Sequence, residues 1–117
     1  MSLPIPGNPV RGSKSGQPIM ALFDLLGRNW AMGIIWHLSN GPSTFRQLQA
    51  YCETVSPTTL NLRLKELTDS YFIERTVNGY ALTKSGRKLF DLLEPMGKLA
   101  KKWARKFDQD GNIQENS

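Results

Sequence analysis

The chain has 117 residues, one cysteine, one histidine, and a formal net charge of +5. That length suits one domain, and a lone cysteine excludes an intrachain disulfide framework and suggests a reducing compartment. No apolar run approaches the roughly 20 residues of a membrane span, and the N-terminus lacks an apolar signal core, so a cytoplasmic protein is expected.

Residues 1–17 hold three prolines (Pro4, Pro6, Pro9) and Gly7, Gly12 and Gly16, with few large apolar groups to offset the entropy of ordering. They read as a flexible tail carrying Arg11 and Lys14. Pro18 suits the first position of a helix, because its missing N–H is lost at no cost there. Met20, Leu22, Phe23, Leu25 and Leu26 make that helix apolar, and Gly27 suits its C-terminal cap. Asn29 is placed to N-cap the next helix, Trp30 to Leu38. Trp30, Ile34 and Leu38 repeat at i, i+4, i+8, and Met32, Ile35 and Trp36 widen the face, so this helix should be mostly buried. Asn40-Gly41-Pro42 ends it.

Ser43 to Phe45 suits a very short strand, followed by a short helix over about Arg46–Tyr51. Phe45, Leu48 and either Tyr51 or Cys52 should face the core. Ser56 then serves as N-cap and Pro57 as first residue of a helix reaching about Asp69. Two helices joined by a short turn, the second opening on capping and small polar residues, form the helix-turn-helix pattern. Tyr71, Phe72 and Ile73 start a strand, Asn78-Gly79 is a strong type I′ hairpin signal, and Tyr80-Ala81-Leu82 returns. Thr83 caps a further helix from Lys84. Pro95 either kinks that helix or starts a separate one, Pro95 to Phe107.

The domain therefore spans residues 18–107 and is mainly α with a small β-hairpin, a winged helix-turn-helix. Residues 108–117 read as a flexible acidic tail.

On a wheel of about 100° per residue, Leu60, Leu64 and Leu67 form an inward stripe in the helix from Pro57. Thr58, Leu62 and Lys65 then point outward, with Thr59, Asn61, Arg63 and Glu66 on the flanks. Ser56, Thr58, Thr59, Asn61, Arg63 and Lys65 match major-groove readout, where Asn suits adenine and Arg or Lys suits guanine. Leu62 stands almost opposite the stripe. It either contacts a thymine methyl, packs on a neighbour, or is an inconsequential exposed leucine.

Residues 56–70 carry Arg63 and Lys65 against Glu66 and Asp69 and are neutral. Residues 71–88 carry Arg75, Lys84, Arg87 and Lys88 against Glu74 alone. Attraction to phosphate should therefore come from the hairpin side, chiefly Arg75 and Lys84. In the C-terminal helix, Met96, Leu99, Trp103 and Phe107 fall on one stripe. This is a candidate dimer interface, with packing on the chain's own domain as the other option.

Catalysis has no constellation to support it. His37 is the only histidine and lies among core residues, no second ligand makes a metal site, and no cofactor is implied. Cys52 reads as a small buried apolar group. A redox role would need a lowered pKa and access, for which Arg46 is the only hint.

The ordered set of residues resembles the HxlR-type winged helix family, itself related to the MarR regulators. It comprises Leu25-Leu26-Gly27 through Asn29-Trp30, Ile35, Leu38, Asn40-Gly41-Pro42, Phe45, Leu48 and Ser56-Pro57. Leu60, Leu64, Glu66-Leu67, Ile73-Glu74-Arg75-Thr76-Val77, Leu82-Thr83, Gly86, Pro95 and Trp103 complete it. The resemblance implies a bacterial or archaeal transcription regulator, nucleoid-associated when bound. It implies a homodimer built from the terminal helices, with each recognition helix in a major groove. Family members often carry arginine where this chain has Thr58 and Leu62, and their wing is usually longer. Some sense thiol-reactive agents through a cysteine before the first helix, where this chain has none.

The reading is a dimeric, sequence-specific regulator on pseudo-palindromic double-stranded DNA, not an enzyme, with no membrane partner. The rival is a winged-helix protein-interaction module. The operator, the direction of regulation and any small-molecule effector are not specified by the residues.

Overall fold

A computed structural model describes residues 3–109; Met1, Ser2 and residues 110–117, with most of the expected acidic tail, lie outside the described residues. The first helix, α1, is Pro18–Leu26, with Pro18 in its first turn. The second, α2, is Ala31–Leu38. It starts one residue later than expected, and Asn29 does not cap it. Trp30 takes the N-cap position at φ 69°, a left-handed conformation, with no side-chain cap. Its indole packs on Gly33 and meets the Tyr51 ring edge-on at 5.7 Å. Tertiary contact thus replaces local capping here.

Helix α3, Phe45–Tyr51, is held by a capping box. Thr44 Oγ1 accepts the Gln47 N–H, and Gln47 Oε1 accepts the Thr44 N–H. Helix α4, Pro57–Asp69, has the expected bounds, because Ser56 Oγ accepts the Thr59 N–H at 3.1 Å and proline pre-sets the first turn.

Strands β1 (Ile73–Thr76) and β2 (Gly79–Leu82) pair antiparallel with Arg75 opposite Tyr80 and Thr76 opposite Gly79. Val77 and Asn78 are therefore the turn residues, and only Gly79 has positive φ, at 112°. The turn is thus not the expected type I′. Instead, Thr76 Oγ1 accepts the Asn78 N–H and donates to the Gly79 carbonyl. Ser43 adds a single bridge to Tyr80, exchanging both backbone bonds, in place of a separate strand. A Cβ on Gly79 would overlap the Ser43 backbone.

The last helix, α5, is one long helix over Lys84–Gln109 with Pro95 inside it, so of the two alternatives the single helix holds and no separate helix starts at Pro95. Thr83 caps it by accepting the Gly86 N–H at 3.1 Å.

The core is one cluster: Leu25, Ile34, Ile35, Leu38, Leu48, Cys52, Val55, Leu60, Leu64, Leu67, Ile73, Leu89 and Leu93. The predicted α4 stripe is fully buried. The α2 expectation is corrected in part, since Met32 and Trp36 lie exposed on its outer side. Tyr51 also faces outward, stacked on His37 at 4.3 Å, while Cys52 takes the core position.

Residues 3–17, expected as a flexible tail, form a series of turns. Gly7 donates to the Gly16 carbonyl, Val10 and Ser13 exchange both backbone bonds, and Leu3 packs against the core. No helix of the described residues is long and apolar enough to cross a membrane.

Candidate nucleic-acid interface

The leucine stripe of α4 sets which residues face away from the domain. With Leu60, Leu64 and Leu67 buried, Ser56, Thr58, Asn61, Leu62 and Lys65 are exposed. The hairpin follows α4 closely and lies alongside its C-terminal half. Asn61, Leu62, Lys65, Thr68 and Asp69 of α4 line one open groove with Arg75 and Tyr80. Arg75 sits over the Tyr80 ring, its guanidinium carbon 5.3 Å from the centroid.

The residues singled out from the sequence divide into groups. Asn61, Leu62, Lys65 and Arg75 come together in that groove. Thr58 and Lys84 are exposed but do not line it. Ser56 and Thr59 bond to one another at 3.1 Å as part of the helix cap. Lys65 pairs with Asp69 at 3.0 Å on the surface, a screened contact that either group can leave.

Arg63 departs from the expectation of a flanking reader. Its residue is only 8% exposed. Nε donates to the Asn29 carbonyl at 2.7 Å, and Nη1 donates to the Glu66 carboxylate. The wheel placed Arg63 on the flank correctly. It did not reveal that the turn between α1 and α2 packs against that flank and supplies an acceptor. Arg63 is therefore held away from the outer face.

Tyr80 was not singled out. The usable signal was the hairpin register, which sets it opposite Arg75. Leu62, 42% exposed, is confirmed on the outer face.

Along α5 a second surface is prominent. Met96, Leu99, Trp103 and Phe107 are exposed, and Leu92 joins them. Trp103 and Phe107 contact edge-to-face at 5.3 Å. This makes a continuous apolar face on a helix whose opposite side carries Lys98, Lys101, Lys102 and Arg105.

The HxlR-like helix-turn-helix family profile matches residues 25–108, most of the chain. The chain belongs to this family. It is 32% identical over 97 residues to the HTH-type transcriptional regulator YodB of Bacillus subtilis, covering 77% of this chain and 83% of that one. The quinone-bound crystal structure of YodB superposes with a TM-score of 0.66 at 33% identity, covering 72% of this chain and 94% of that one. A possible HxlR family transcriptional factor from Thermoplasma volcanium gives a TM-score of 0.64 at 31% identity, covering 72% and 82%. These are transcription regulators of the DNA-binding helix-turn-helix type, and the winged helix-turn-helix fold is shared.

Within this HxlR-type chain, Cys52 is fully buried, and desolvation pushes its thiol pKa up. Both effects disfavour a reactive thiolate.

Proposed function

We propose that the chain acts as a homodimeric, sequence-specific regulator on pseudo-palindromic duplex DNA. The observation that carries this reading is the groove in which Asn61, Leu62 and Lys65 of α4 meet Arg75 and Tyr80 of the hairpin. Helix α4 enters the major groove with its outer face. Asn61 matches adenine, Leu62 offers an apolar contact to a thymine methyl, and Ser56, Thr58 and Thr59 supply hydroxyls near the helix start. Arg75 and Lys84 supply the phosphate attraction that the neutral α4 lacks. Val77 and Asn78 make a tip only two residues long, so the hairpin serves mainly to hold Arg75 beside the duplex.

The dimer forms through α5, with Met96, Leu99, Trp103 and Phe107 covered by a second copy. Support comes from the size of this apolar face, which lone monomers rarely leave exposed. Two-fold symmetry would then place two α4 helices on half-sites about one helical turn, roughly 34 Å, apart.

Selection of bound sequences from a random duplex pool tests the reading. Enrichment of an inverted repeat with a fixed half-site spacing is the expected result. Absence of enrichment, together with no binding to random duplex at low salt, would overturn it. That outcome favours the rival module, with exposed Leu62 meeting another protein chain.

A further inference from the structure

Five charged side chains run in sequence from the N-terminal segment to α4. Arg11 lies 3.7 Å from Asp24 of α1, and Asp24 lies 3.6 Å from the Nε of Arg28. Arg28 donates through Nη1 to one carboxylate oxygen of Glu66, and Arg63 donates to the other. Arg63 then closes the chain on the Asn29 carbonyl. Asp24, Arg28, Arg63 and Glu66 are all buried.

We propose that Arg28 and Glu66 are positioning residues that set the rotation of α4 about its own axis, and thereby which of its side chains read DNA. This rests on the DNA reading proposed above. Neither residue touches the groove lined by Asn61 and Leu62; each acts through Arg63 and the helix that carries it.

The physical reason lies in what else holds α4. Leu60, Leu64 and Leu67 bury an apolar stripe, and that attraction is non-directional. A leucine stripe alone tolerates a small roll of the helix. A side-chain tip on an α-helix lies about 5–6 Å from the axis, so a roll of about 20° moves it about 2 Å. Recognition geometry tolerates only about 0.5 Å. A guanidinium fork, by contrast, has fixed directions. Arg63 uses two of them, one to Asn29 and one to Glu66, while Arg28 grips the second oxygen of the same carboxylate. The Arg63–Glu66 bond turns with α4, but the two bonds that leave the helix, Arg63 to the Asn29 carbonyl and Glu66 to Arg28, are strained when α4 rolls.

The anchor point is itself stiff. Asn29 precedes Trp30, whose left-handed φ is held by ring contacts to Gly33 and Tyr51. The bond from Arg63 thus ties α4 to a turn that α3 also braces. Buried ion pairs add little net stability compared with apolar replacements, whereas fixing a register is their best-attested use.

The test compares wild type with Glu66→Gln and Arg63→Lys, each checked for folding by circular dichroism and thermal melting. Arg63→Lys keeps the charge but has no planar fork to serve both acceptors, and it carries the test if Glu66→Gln does not fold. Affinity is measured by fluorescence anisotropy across a salt series. The probes are the duplex selected by wild type and a random duplex of equal length. The expected result is a fall of about tenfold or more in the selected-to-random affinity ratio, the size of one or more mismatched contacts. Binding to random duplex and the salt slope should stay as in wild type, because the phosphate contacts are untouched.

An unchanged ratio in a folded variant overturns the proposal. A smaller salt slope for a folded Arg63→Ala, which removes the charge, also overturns it, since that would place Arg63 on the DNA. A wild-type protein that selects no duplex overturns the DNA reading itself, and the positioning role with it.

Discussion

Arg63 donates its Nε to the backbone carbonyl of Asn29 at 2.7 Å, tying a cation of α4 to the turn between α1 and α2. This bond separates two residues that a helical wheel places side by side. Asn61 is left on the surface, and Arg63 is committed to the interior.

The two should therefore differ in urea denaturation. Arg63→Ala removes a buried charge-assisted bond and leaves the Asn29 carbonyl unpaired, so a loss of about 1–3 kcal/mol is expected. Asn61→Ala should stay within about 0.5 kcal/mol of wild type while weakening binding to the selected duplex. Equal stability of the two variants would contradict the burial of Arg63.

Salt titration reads the hairpin side. Removing one cation from the phosphates should reduce the slope of log affinity against log salt by about 0.9. Arg75→Ala and Lys84→Ala are each expected to show that change. An unaltered slope for both would remove the hairpin from the duplex.

The α5 face is tested by oligomeric state. Leu99→Asp and Trp103→Asp each place a charge in the exposed apolar stripe and leave the core cluster untouched. Sedimentation should show dimer for wild type and monomer for the variants, with helicity retained. A wild-type monomer at micromolar concentration would leave the face without a second copy.

Cys52 should react slowly with a thiol-directed reagent in the native protein and rapidly in urea. Burial raises its pKa, so at a given pH the native thiolate fraction is lower than in an exposed cysteine. The native rate should climb with pH and begin to do so at higher pH than in the unfolded chain. A fast native reaction at neutral pH would contradict the enclosed position.

Gly86 marks a close approach. A Cβ there would overlap the Phe72 carbonyl oxygen. Gly86→Ala should force α5 away from the segment before β1, with an overpacking cost of about 1–3 kcal/mol visible in thermal melting. Gly41→Ala meets no atom within 4 Å and serves as the comparison, with only its own backbone strain to bear.

Local physics made much of the fold legible. The Ser56 cap, Pro57 and the leucine spacing of α4 depend on residues a few positions apart, so the helix bounds could be read without neighbours. The family resemblance likewise rested on ordered local features, and the profile match over residues 25–108 agrees with it. Features set by distant contact were hidden. Trp30 displaces Asn29 from capping because its ring finds Gly33 and Tyr51. The hairpin turns at Val77-Asn78 instead of Asn78-Gly79, and Ser43 approaches Gly79 too closely for a side chain there.

The amino-acid sequence by itself determined the helix-turn-helix, the inward leucines and the outward position of Leu62, because periodicity and capping act within a turn or two. Tertiary structure alone decided the fate of Arg63. Its partners, Asn29 and Glu66, lie 34 and 3 residues away, and Arg28 joins Glu66 across 38. A wheel assigns an azimuth to a side chain but not the surface that azimuth meets. That is why a residue flanking the outer face of α4 became part of a buried ionic chain.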